Sequence, residues 1–308
     1  MRYAVVDIGS NTVKIYVYDA VKGDSGLKLT QIMCESRTLG LINYVKKGQM
    51  SEDGILKLVQ TLIDYKRISD NISTDVFICF ATASLRNIEN VDVVLEKVKQ
   101  HADVEVDLID GETEAMLSFE GLKSTVNESL HSGVMIDMGG GSTELIGFVD
   151  ALAVRAHSMP FGCLSLYRKF VDEIFPQKGE LKDIRKHVAK KLEEIDWIKK
   201  YGDTTYLVGG TGRAIASIHN EIYKRELTLT NYKISIDEFN YLCDYFKKMK
   251  NEEIRLLVRT QPERLHTILP GLAAYKEIID HIGTKNIVVC TSGIREGYLA
   301  RRIAESEE

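Results

Sequence analysis

The amino-acid sequence predicts an α/β protein with two domains, and three observations support this prediction. The chain has 308 residues, which is long enough for two separate hydrophobic cores. Short apolar runs that are typical of strands alternate with segments of helical periodicity, as in an α/β layer fold. A strand, a glycine turn and a second strand occur at the start of the chain and again near its middle, so the two halves are expected to share an architecture.

The first half begins with three predicted strands. Residues 4–19 read as a strand, a glycine turn and a strand, and residues 28–36 as a further strand. Apolar side chains in 51–65 recur at helical spacing, which predicts a helix. The remaining segments alternate between the two types, with strands at 75–84 and 104–109 and helices at 91–101 and 110–124.

The second half repeats this alternation. Residues 134–150 contain the second strand–turn–strand pattern, and residues 204–218 read as a strand, a glycine turn and a helix. Ser235 and Glu238 form the capping-box pattern that precedes a helix. The other predicted elements are a strand at 153–157, helices at 164–170, 182–200 and 272–282, and a last strand and helix within 286–308.

Composition limits the class of partner. The net charge is −5, and an acidic chain is a poor candidate for coating nucleic acid or an anionic membrane. The five cysteines are widely spaced without a CxxC pair, which is typical of reduced thiols in a cytoplasmic protein. No signal peptide is visible, and no apolar run is long enough to span a bilayer. We therefore expect a cytoplasmic protein with no nucleic-acid or membrane partner.

The two glycine turns can be aligned residue by residue. Writing VVDIGSNTVKI above MIDMGGGSTEL places Asp7 over Asp137 and Lys14 over Glu144. Successive backbone amides in a glycine-rich turn form a concavity that binds anions, because no side chain blocks the approach. Both turns are therefore predicted to bind phosphate, and to clamp one phosphate chain if they face each other. The predicted contacts are Ser10 and Asn11 in the first turn and Gly139, Gly140, Gly141 and Ser142 in the second.

The acids beside these turns indicate a metal site. Asp137 ends a predicted strand next to the proposed phosphate, which a bare carboxylate would repel. A Mg²⁺ ion between them removes this conflict, and Mg²⁺ prefers oxygen ligands. Glu144 on the returning strand could reach the same metal, although a surface acid on a strand is the alternative interpretation. Asp7 holds the corresponding position in the first half and is included among the candidate ligands.

Two other segments could contribute to a phosphate site. Arg86 follows a strand and small residues near a helix start, where a guanidinium could meet a phosphate, although an ordinary surface arginine fits as well. Gly209, Gly210 and Thr211 lie between a strand and a helix, which is another phosphate or nucleotide position. Neither a Walker A loop nor a GxGxxG turn after the first strand is present, which argues against P-loop and dinucleotide enzymes.

Two acids begin the helix predicted at 110–124. A carboxylate from Glu112 or Glu114 could orient and deprotonate an attacking water beside a bound phosphate. Acids in a first turn also occur simply because they suit the helix dipole. The residues alone do not separate these two interpretations.

The ordered motifs DIGSN, AT-x-x-x-R, G-x-x-EA, DMGGGSTE, VGGTGRA, ILPGL and GIREG resemble those of the exopolyphosphatase and guanosine pentaphosphate phosphohydrolase (Ppx/GppA) family. This family belongs to the actin, sugar kinase and Hsp70 (ASKHA) superfamily, and the resemblance extends from Val6 to Leu299. It implies two actin-like, ribonuclease H-like domains with an active site in the interdomain cleft. It also implies Mg²⁺-dependent removal of a terminal phosphate from inorganic polyphosphate or guanosine pentaphosphate (pppGpp).

By position, the resemblance implies that Glu114 is the general base and that Asp137 and Glu144 hold the metal or its waters. It implies domains at 1–123 and 124–291, with a helix at 292–308 that returns to the first domain. Two positions depart from the family pattern. Thr113 replaces a second acid before Glu114, and Lys14 replaces a frequent arginine, which keeps the charge but loses bidentate geometry.

Two alternative functions remain open at this level. One is a kinase of the same superfamily, and the other is a non-catalytic sensor of guanosine penta- or tetraphosphate, which the loss of the second acid favours. The sequence ends before the helical HD-type domain of longer relatives, so short polyphosphate or pppGpp is the expected substrate. A homodimer is expected from family habit.

Overall fold

The computed structural model describes residues 1–23, 26–126, 130–225 and 228–306. The chain divides into two compact units, Met1–Glu114 with Tyr298–Glu308, and Ala115–Gly297. The family resemblance predicts these boundaries at residues 123 and 292. Residues 307–308 of the predicted last helix lie outside the described residues. Each division of the structure falls inside a helix. Helical periodicity continues through such a point, so the sequence contains no signal for it.

The first unit is built on a mixed five-stranded sheet covered by helices. Its sheet order is β3-β2-β1-β6-β7, in which β1 pairs antiparallel with β2 and parallel with β6. The core lies between this sheet and helices α1 and α3. Its elements are β1 (Arg2–Ile8), β2 (Thr12–Gly23), β3 (Gly26–Thr38), β4 (Val45–Lys46), β5 (Gln49–Met50), α1 (Glu52–Asn71), β6 (Val76–Ala81), α2 (Ala83–Arg86), α3 (Val91–Ala102), β7 (Asp107–Leu108) and the start of α4 (Gly111–Lys123), with a 3-10 turn at Leu41–Tyr44.

The second unit contains a six-stranded sheet of order β10-β9-β8-β11-β13-β12. Strand β8 pairs antiparallel with β9 and parallel with β11, as β1 does with β2 and β6. The remainder of α4 contributes Ala115, Phe119 and Leu122 to its core. Its elements are β8 (Ser132–Met138), β9 (Thr143–Val149), β10 (Leu152–Met159), α5 (Cys163–Phe170), α6 (Lys178–Leu192), β11 (Thr204–Val208), α7 (Gly209–Tyr223), β12 (Tyr232–Ser235), α8 (Ile236–Tyr245), α9 (Asn251–Thr260), α10 (Ile268–Ile282), β13 (Asn286–Val289) and α11 (Ile294–Glu305), with 3-10 turns at Ile198–Lys200 and Pro262–Arg264.

The predicted α/β fold with an actin-like arrangement of strands in each half is confirmed. In both units three antiparallel strands are followed by two parallel ones, and β12 is an added edge strand of the second sheet. In each unit the loop after β1 or β8 therefore lies at the carboxyl edge of the parallel strands. Ligands of open α/β sheets bind at this edge.

The predicted start of the helix after Ser235 agrees with the structure, because it depends only on hydrogen bonds between neighbouring residues. The Ser235 side chain accepts the Glu238 amide at 3.3 Å, and Glu238 accepts the Ser235 amide at 2.9 Å, which confirms the capping box. Two predicted elements are shorter than expected. The strand at 104–109 is reduced to β7, and the helix at 182–200 ends at Leu192, where Glu193 and Glu194 oppose the helix dipole.

Among the residues that the structure describes, none of the helices combines the length and the apolar character needed to cross a bilayer.

Candidate active site

The first loop of the candidate site is Gly9–Thr12, which joins β1 to β2. The amide of its first residue donates to the carbonyl of its last at 3.1 Å. The Ser10 carbonyl accepts the Ile42 amide at 3.0 Å, and the Asn11 carbonyl accepts the Gly40 amide at 2.8 Å. The segment that follows β3 therefore binds the carbonyl side of the first loop.

The second loop, Gly139–Ser142, joins β8 to β9 and has the same construction. The amide of its first residue donates to the carbonyl of its last at 3.0 Å. The Gly139 carbonyl accepts the Cys163 amide at 3.0 Å, and the Gly140 carbonyl accepts the next two amides of α5, also at 3.0 Å. The segment that follows β10 therefore binds the carbonyl side of the second loop.

The amide side of both loops has no such partner. Within the part of the chain that the structure describes, no hydrogen bond is donated by the amides of Ser10, Asn11, Gly140, Gly141 or Ser142. The carbonyl groups on one side of each loop already accept hydrogen bonds. The other side is lined by free N–H groups, and such an arrangement binds anions. Each loop can therefore bind a phosphate group.

Gly162 allows α5 to approach the second loop. A Cβ at this position would lie 2.4 Å from the Gly139 carbonyl oxygen and 2.6 Å from the Gly140 carbonyl carbon. Both neighbours are backbone atoms, which cannot rotate away as a flexible side chain would. The position therefore requires glycine, and its role was missed because the contact joins segments that are separated in sequence.

Asp137 lies in β8 just before the second loop and is 9% exposed. Its cross-strand partner in β9 is Glu144, so the two side chains project from one face of the sheet. Ser118 Oγ on α4 donates to Asp137 Oδ2 at 2.6 Å. Burial raises the pKa of Asp137, and the Ser118 hydrogen bond offsets only part of that rise. Added positive charge would therefore stabilise this carboxylate.

Glu144 is also inside the protein. It is 1% exposed, and its Oε1 accepts a hydrogen bond from Ser158 Oγ at 2.8 Å. The alternative interpretation of Glu144 as a surface acid is therefore wrong, because the side chain is enclosed and bonded to Ser158 of β10.

Two arginines add positive charge near Asp137. Arg213 on α7 and Arg295 on α11 both lower the pKa of Asp137, whereas the charge of Glu296 raises it. The two guanidinium groups share the Thr291 carbonyl, at 3.1 Å from Arg213 Nη1 and 3.3 Å from Arg295 Nη2. Both residues belong to motifs that carried the family resemblance, VGGTGRA and GIREG, but the sequence alone assigned them no role.

The start of α7 contacts the Asp137 carboxylate. Gly209 has a φ of +84°, and a Cβ there would lie 2.3 Å from Asp137 Oδ1. The positive end of the α7 dipole is thus directed at this acid. The Thr211 side chain is buried, and its hydroxyl donates to the Met138 carbonyl at 3.1 Å. This hydroxyl joins α7 to β8, so only the Thr211 backbone amide is left for a phosphate.

Arg264 lies beside Gly210 at the same end of α7. A Cβ on Gly210 would come within 2.3 Å of Arg264 Nη2. The Arg264 side chain forms no ion pair with any described residue. A guanidinium at a helix N-terminus can bind a phosphate. Sequence reasoning missed this residue, and its position just before the ILPGL motif was the only available signal.

In the first unit, two predicted site residues form an ion pair. Arg86 Nη1 lies 2.8 Å from Glu114 Oε2, with side chains 20% and 11% exposed, and also donates to the Ile109 carbonyl at 2.8 Å. The Nε and Nη2 groups of Arg86 make no hydrogen bond within the described chain. Ser84 on α2 donates to the Ile8 carbonyl, which holds the short helix of Arg86 beside the end of β1. The interpretation of Arg86 as an ordinary surface arginine is therefore wrong.

Asp110 caps the helix that carries Glu114. Its Oδ1 accepts the Thr113 amide at 2.9 Å, and its Oδ2 accepts the Thr113 hydroxyl at 2.7 Å. A threonine in place of the family's second acid thus has a structural use, because it completes the cap.

The acid before the first loop has a different neighbour from its counterpart. Asp7 is half-buried, and its cross-strand partner is Lys14. The two side chains share a face of the sheet, so a cation already lies opposite this carboxylate.

The structure thus gathers the predicted residues into one group per unit. The first unit contains Asp7, Ser10, Asn11, Lys14, Arg86 and Glu114, and the second contains Gly139, Gly140, Gly141, Ser142, Asp137, Glu144, Gly209, Gly210 and Thr211. The residues that sequence reasoning missed are Ser118, Gly162, Arg213, Arg264 and Arg295.

The second group fits a hard divalent cation. Asp137 and Glu144 are adjacent buried carboxylates, and the raised pKa of Asp137 shows that its burial is incompletely offset. Among the described residues, no set of three or more His, Cys, Asp or Glu side chains forms a complete metal site. Mg²⁺ is usually held by one or two carboxylates together with water and substrate phosphates, so two acids are sufficient.

The topology of the two sheets, each with an amide-lined loop at the carboxyl edge of its parallel strands, defines an actin-like α/β protein. The chain belongs to the Ppx/GppA phosphatase family, whose model matches residues 17–306. This confirms the resemblance that the motifs indicated.

Known proteins of similar sequence and structure agree with this assignment. Exopolyphosphatase 1 of Mycobacterium tuberculosis is 24% identical over 98% of this chain and 88% of its own. A bifunctional 3-dehydroquinate synthase/phosphatase of Fusobacterium nucleatum is 26% identical over 93% of this chain, which spans 44% of that protein. The crystal structure of the Aquifex aeolicus family member has a TM-score of 0.82 at 25% identity and covers 100% of this chain and 99% of its own. An exopolyphosphatase structure from Cytophaga hutchinsonii, with a TM-score of 0.84 at 21% identity over 99% and 98% of the two chains, shows the same fold.

Proposed function

We propose that this protein releases terminal orthophosphate from inorganic polyphosphate, from pppGpp, or from both, by attack of water. The observation that carries the proposal is the largely enclosed Arg86–Glu114 ion pair, whose helix α2 is held beside the end of β1, where an amide-lined loop begins. Hydrolysis needs a phosphate-binding surface and a base that orients water. Family membership and the relatives named exopolyphosphatase support polyphosphate as the substrate class.

In the proposed reaction, the water oxygen forms a bond to the terminal phosphorus while the bridging P–O bond breaks. Glu114 would accept the proton of the water, and the departing oxygen would remain on the shortened chain. In the first unit, the Nε and Nη2 groups of Arg86 and the amides of the first loop would hold the phosphoryl oxygens. In the second unit, the amides of the second loop and Arg264 would bind phosphate oxygens. Charge neutralisation and positioning, rather than covalent catalysis, account for most of the acceleration of phosphoryl transfer.

We assign the Mg²⁺ site to Asp137 and Glu144. When bound, Mg²⁺ would neutralise charge on the phosphate oxygens. Ser118 would orient the Asp137 carboxylate through its 2.6 Å hydrogen bond. Asp7, opposite Lys14, is the weakest of the three proposed ligands, because the lysine already offsets its charge.

We further propose that each loop binds phosphate through its free amides, Ser10 and Asn11 in the first unit and Gly140, Gly141 and Ser142 in the second. Glu114 and Ser118 are four residues apart on α4 and therefore lie on one face of that helix. This spacing places the proposed base and the hydroxyl that bonds to Asp137 along the same side of α4.

A cytoplasmic location and a homodimer remain proposals. Each of the five cysteines is a free thiol, which supports a reducing compartment.

The decisive experiment is phosphate release by the purified protein with short-chain polyphosphate, long-chain polyphosphate, pppGpp and ATP. Each substrate is measured with Mg²⁺ and after chelation of divalent cations. We expect Mg²⁺-dependent release from polyphosphate or pppGpp. ADP formation that depends on an added acceptor would instead indicate a kinase. Tight binding of guanosine tetra- or pentaphosphate without phosphate release would indicate a sensor.

A further inference from the structure

A cavity of about 520 Å³ lies in the second unit between α6, α10 and the C-terminal end of α8. This volume falls within the range of about 300–1,000 Å³ that is typical of small-molecule sites. None of the residues of the candidate active site lines it. The cavity therefore requires an explanation other than phosphate release.

The inner wall of the cavity is apolar. Phe246, Leu269, Leu272 and Ala273 line it, and each is at most 9% exposed in the folded chain. A ligand that filled the cavity would contact hydrocarbon over this wall. Burial of an apolar ligand body there is favourable at roughly 25 cal/mol for each Å² removed from water.

The rim of the cavity is cationic. Six basic side chains line it against two carboxylates, Asp244 and Glu277. The whole chain has a net charge of −5, so the rim opposes the overall sign of the protein. The basic residues are Lys178, Lys182, Arg185, Lys186, Lys247 and Lys276.

Four of these basic residues already have acidic partners. Arg185 binds Glu277 at 2.7 Å and Asp280 at 3.1 Å. The other pairs are Lys186–Asp183 at 3.1 Å, Lys247–Asp244 at 2.5 Å and Lys276–Asp280, which is a short contact. These pairs leave little net charge along most of the rim.

Lys178 and Lys182 are the exception. Neither forms an ion pair with any residue in the described ranges. They lie four residues apart on α6, so their side chains are neighbours on one helix face. Like charges at this spacing destabilise a helix, and a bound anion would relieve their repulsion.

We propose that this cavity binds a small amphipathic anion, a carboxylate or phosphate head group on an unbranched apolar chain. The head group lies between Lys178 and Lys182, and the chain lies along the wall formed by Leu269, Leu272 and Phe246. The lining of α6 extends from Lys178 to Ala189, which is about 16 Å at 1.5 Å per residue. This length suits a medium-length acyl or alkyl chain.

Other ligand classes fit the cavity less well. Phe246 is the only aromatic residue in the lining, so a nucleobase would have no pair of rings between which to stack. An inorganic polyanion would leave the apolar wall in contact with water. Only a ligand with both an apolar body and a negative end uses both surfaces.

The test is calorimetric titration of the intact protein with dodecanoate below its micellar concentration. We expect saturable binding of one molecule. Shortening to decanoate removes two methylenes and is expected to weaken binding roughly 15-fold, about fourfold for each methylene. Dodecyl phosphate distinguishes a preference for phosphate from one for carboxylate, and dodecyltrimethylammonium, which has the opposite charge, is expected not to bind.

Two variants locate the site. Lys178→Glu with Lys182→Glu is expected to weaken dodecanoate binding about tenfold or more. The matched control, Lys190→Glu with Lys199→Glu, makes the same change of charge at exposed positions outside the lining and is expected to alter affinity less than twofold. Ala189→Trp fills the cavity from the half-buried side of α6 and should abolish binding, with circular dichroism confirming that the variant folds.

Three results would overturn the proposal. The first is equal loss of affinity in both double variants, because it would indicate only general electrostatic attraction. The second is binding of dodecyltrimethylammonium as tightly as dodecanoate. The third is concentration-dependent self-association that Ala189→Trp removes, because the occupant would then be a second copy of the chain.

Discussion

The two hairpin loops have the same backbone but different charges beside them. In both, the first amide bonds to the last carbonyl and the following segment binds the remaining carbonyls. In the first unit Asp7 faces Lys14, whereas in the second Asp137 faces Glu144. The duplicated backbone can hold phosphate in either unit, and the cross-strand pair decides what else each loop can bind.

The difference assigns a separate task to each unit. An acid opposite a lysine is largely neutralised, so Asp7 adds little repulsion to an anion that binds the amides of the first loop. Two adjacent buried acids repel each other and favour a cation between them. The first unit also contains the Arg86–Glu114 pair, whose acid is the proposed base.

The largest expected effect tests the base that belongs only to the first unit. Glu114→Gln should lower kcat about 10²–10⁴-fold, the usual range for a general base. The matched control is Glu112→Gln, an exposed acid on the same helical turn, which should change kcat less than threefold. Phosphate release at saturating substrate is the measurement. Activity of Glu114→Gln within a few-fold of the parent would remove the base from the proposal.

The second prediction compares the two equivalent acids directly. Asp137→Asn should lower kcat about 10²–10³-fold and raise the Mg²⁺ concentration needed for half-maximal rate, because electrostatic stabilisation of the phosphoryl group is lost. Asp7→Asn should cost about tenfold or less, because Lys14 would remain. Phosphate release across a Mg²⁺ series gives both values. Equal effects of the two substitutions would contradict the division of tasks.

The third prediction concerns acid stability, in which the units also differ. His219 in the second unit is fully buried, and burial lowers its pKa to about 4, although Glu238 opposes the shift. In the unfolded chain the histidine pKa is about 6.5. Between pH 4 and pH 6.5 the unfolded chain therefore binds more protons at His219 than the folded chain does. The free energy of unfolding is therefore unaffected by His219 above pH 6.5. It decreases as the pH falls from 6.5 toward 4, by up to about 3 kcal/mol in total.

Hydrogen exchange at pH 7 and pH 5, followed separately over each unit, is the measurement for this difference. The second unit should lose protection first, because the only histidine of the first unit, His101, is exposed. His219→Gln, which can still bond to Tyr232, should flatten the pH dependence. Loss of protection in the first unit before the second would be inconsistent with this assignment.

The fourth prediction tests the support of the second loop. Gly162→Ala should lower the free energy of unfolding by about 1–3 kcal/mol, because its Cβ meets two backbone groups. Gly179→Ala is the matched control, since it lies on α6 with no atom within 4 Å of the added Cβ, and should stabilise by up to about 1 kcal/mol. Urea unfolding measures both variants. A Gly162→Ala protein as stable as the parent would show that α5 can withdraw from the loop without cost.

The smallest expected effect tests the cation of the first loop. Lys14→Ala should raise KM roughly three- to tenfold with less change in kcat, and the increase should shrink at high salt. Lys28→Ala, on the exposed part of β3, is the control for general charge. A change in kcat alone would assign Lys14 to the reaction step instead of to substrate binding.

Much of the fold and part of the site could be predicted from the sequence. The two strand–turn–strand patterns, the capping box at Ser235 and the candidate residues around both loops are contiguous in sequence, so local spacing was enough to find them. Ser118, Gly162 and Arg264 could not be found in this way. Each acts on a loop or acid that is distant in the chain, and only folding brings them into contact.

The sequence by itself determined the alternation of elements and the duplicated hairpin, because apolar spacing and turn residues are local properties of the chain. Only the tertiary structure decided that Glu144 is buried, that Arg86 pairs with Glu114 and that Asp137 has a raised pKa. Burial and pKa depend on how much water and charge surround a group. The residues that surround these groups come from distant parts of the sequence. A local sequence pattern therefore cannot predict their burial or their pKa.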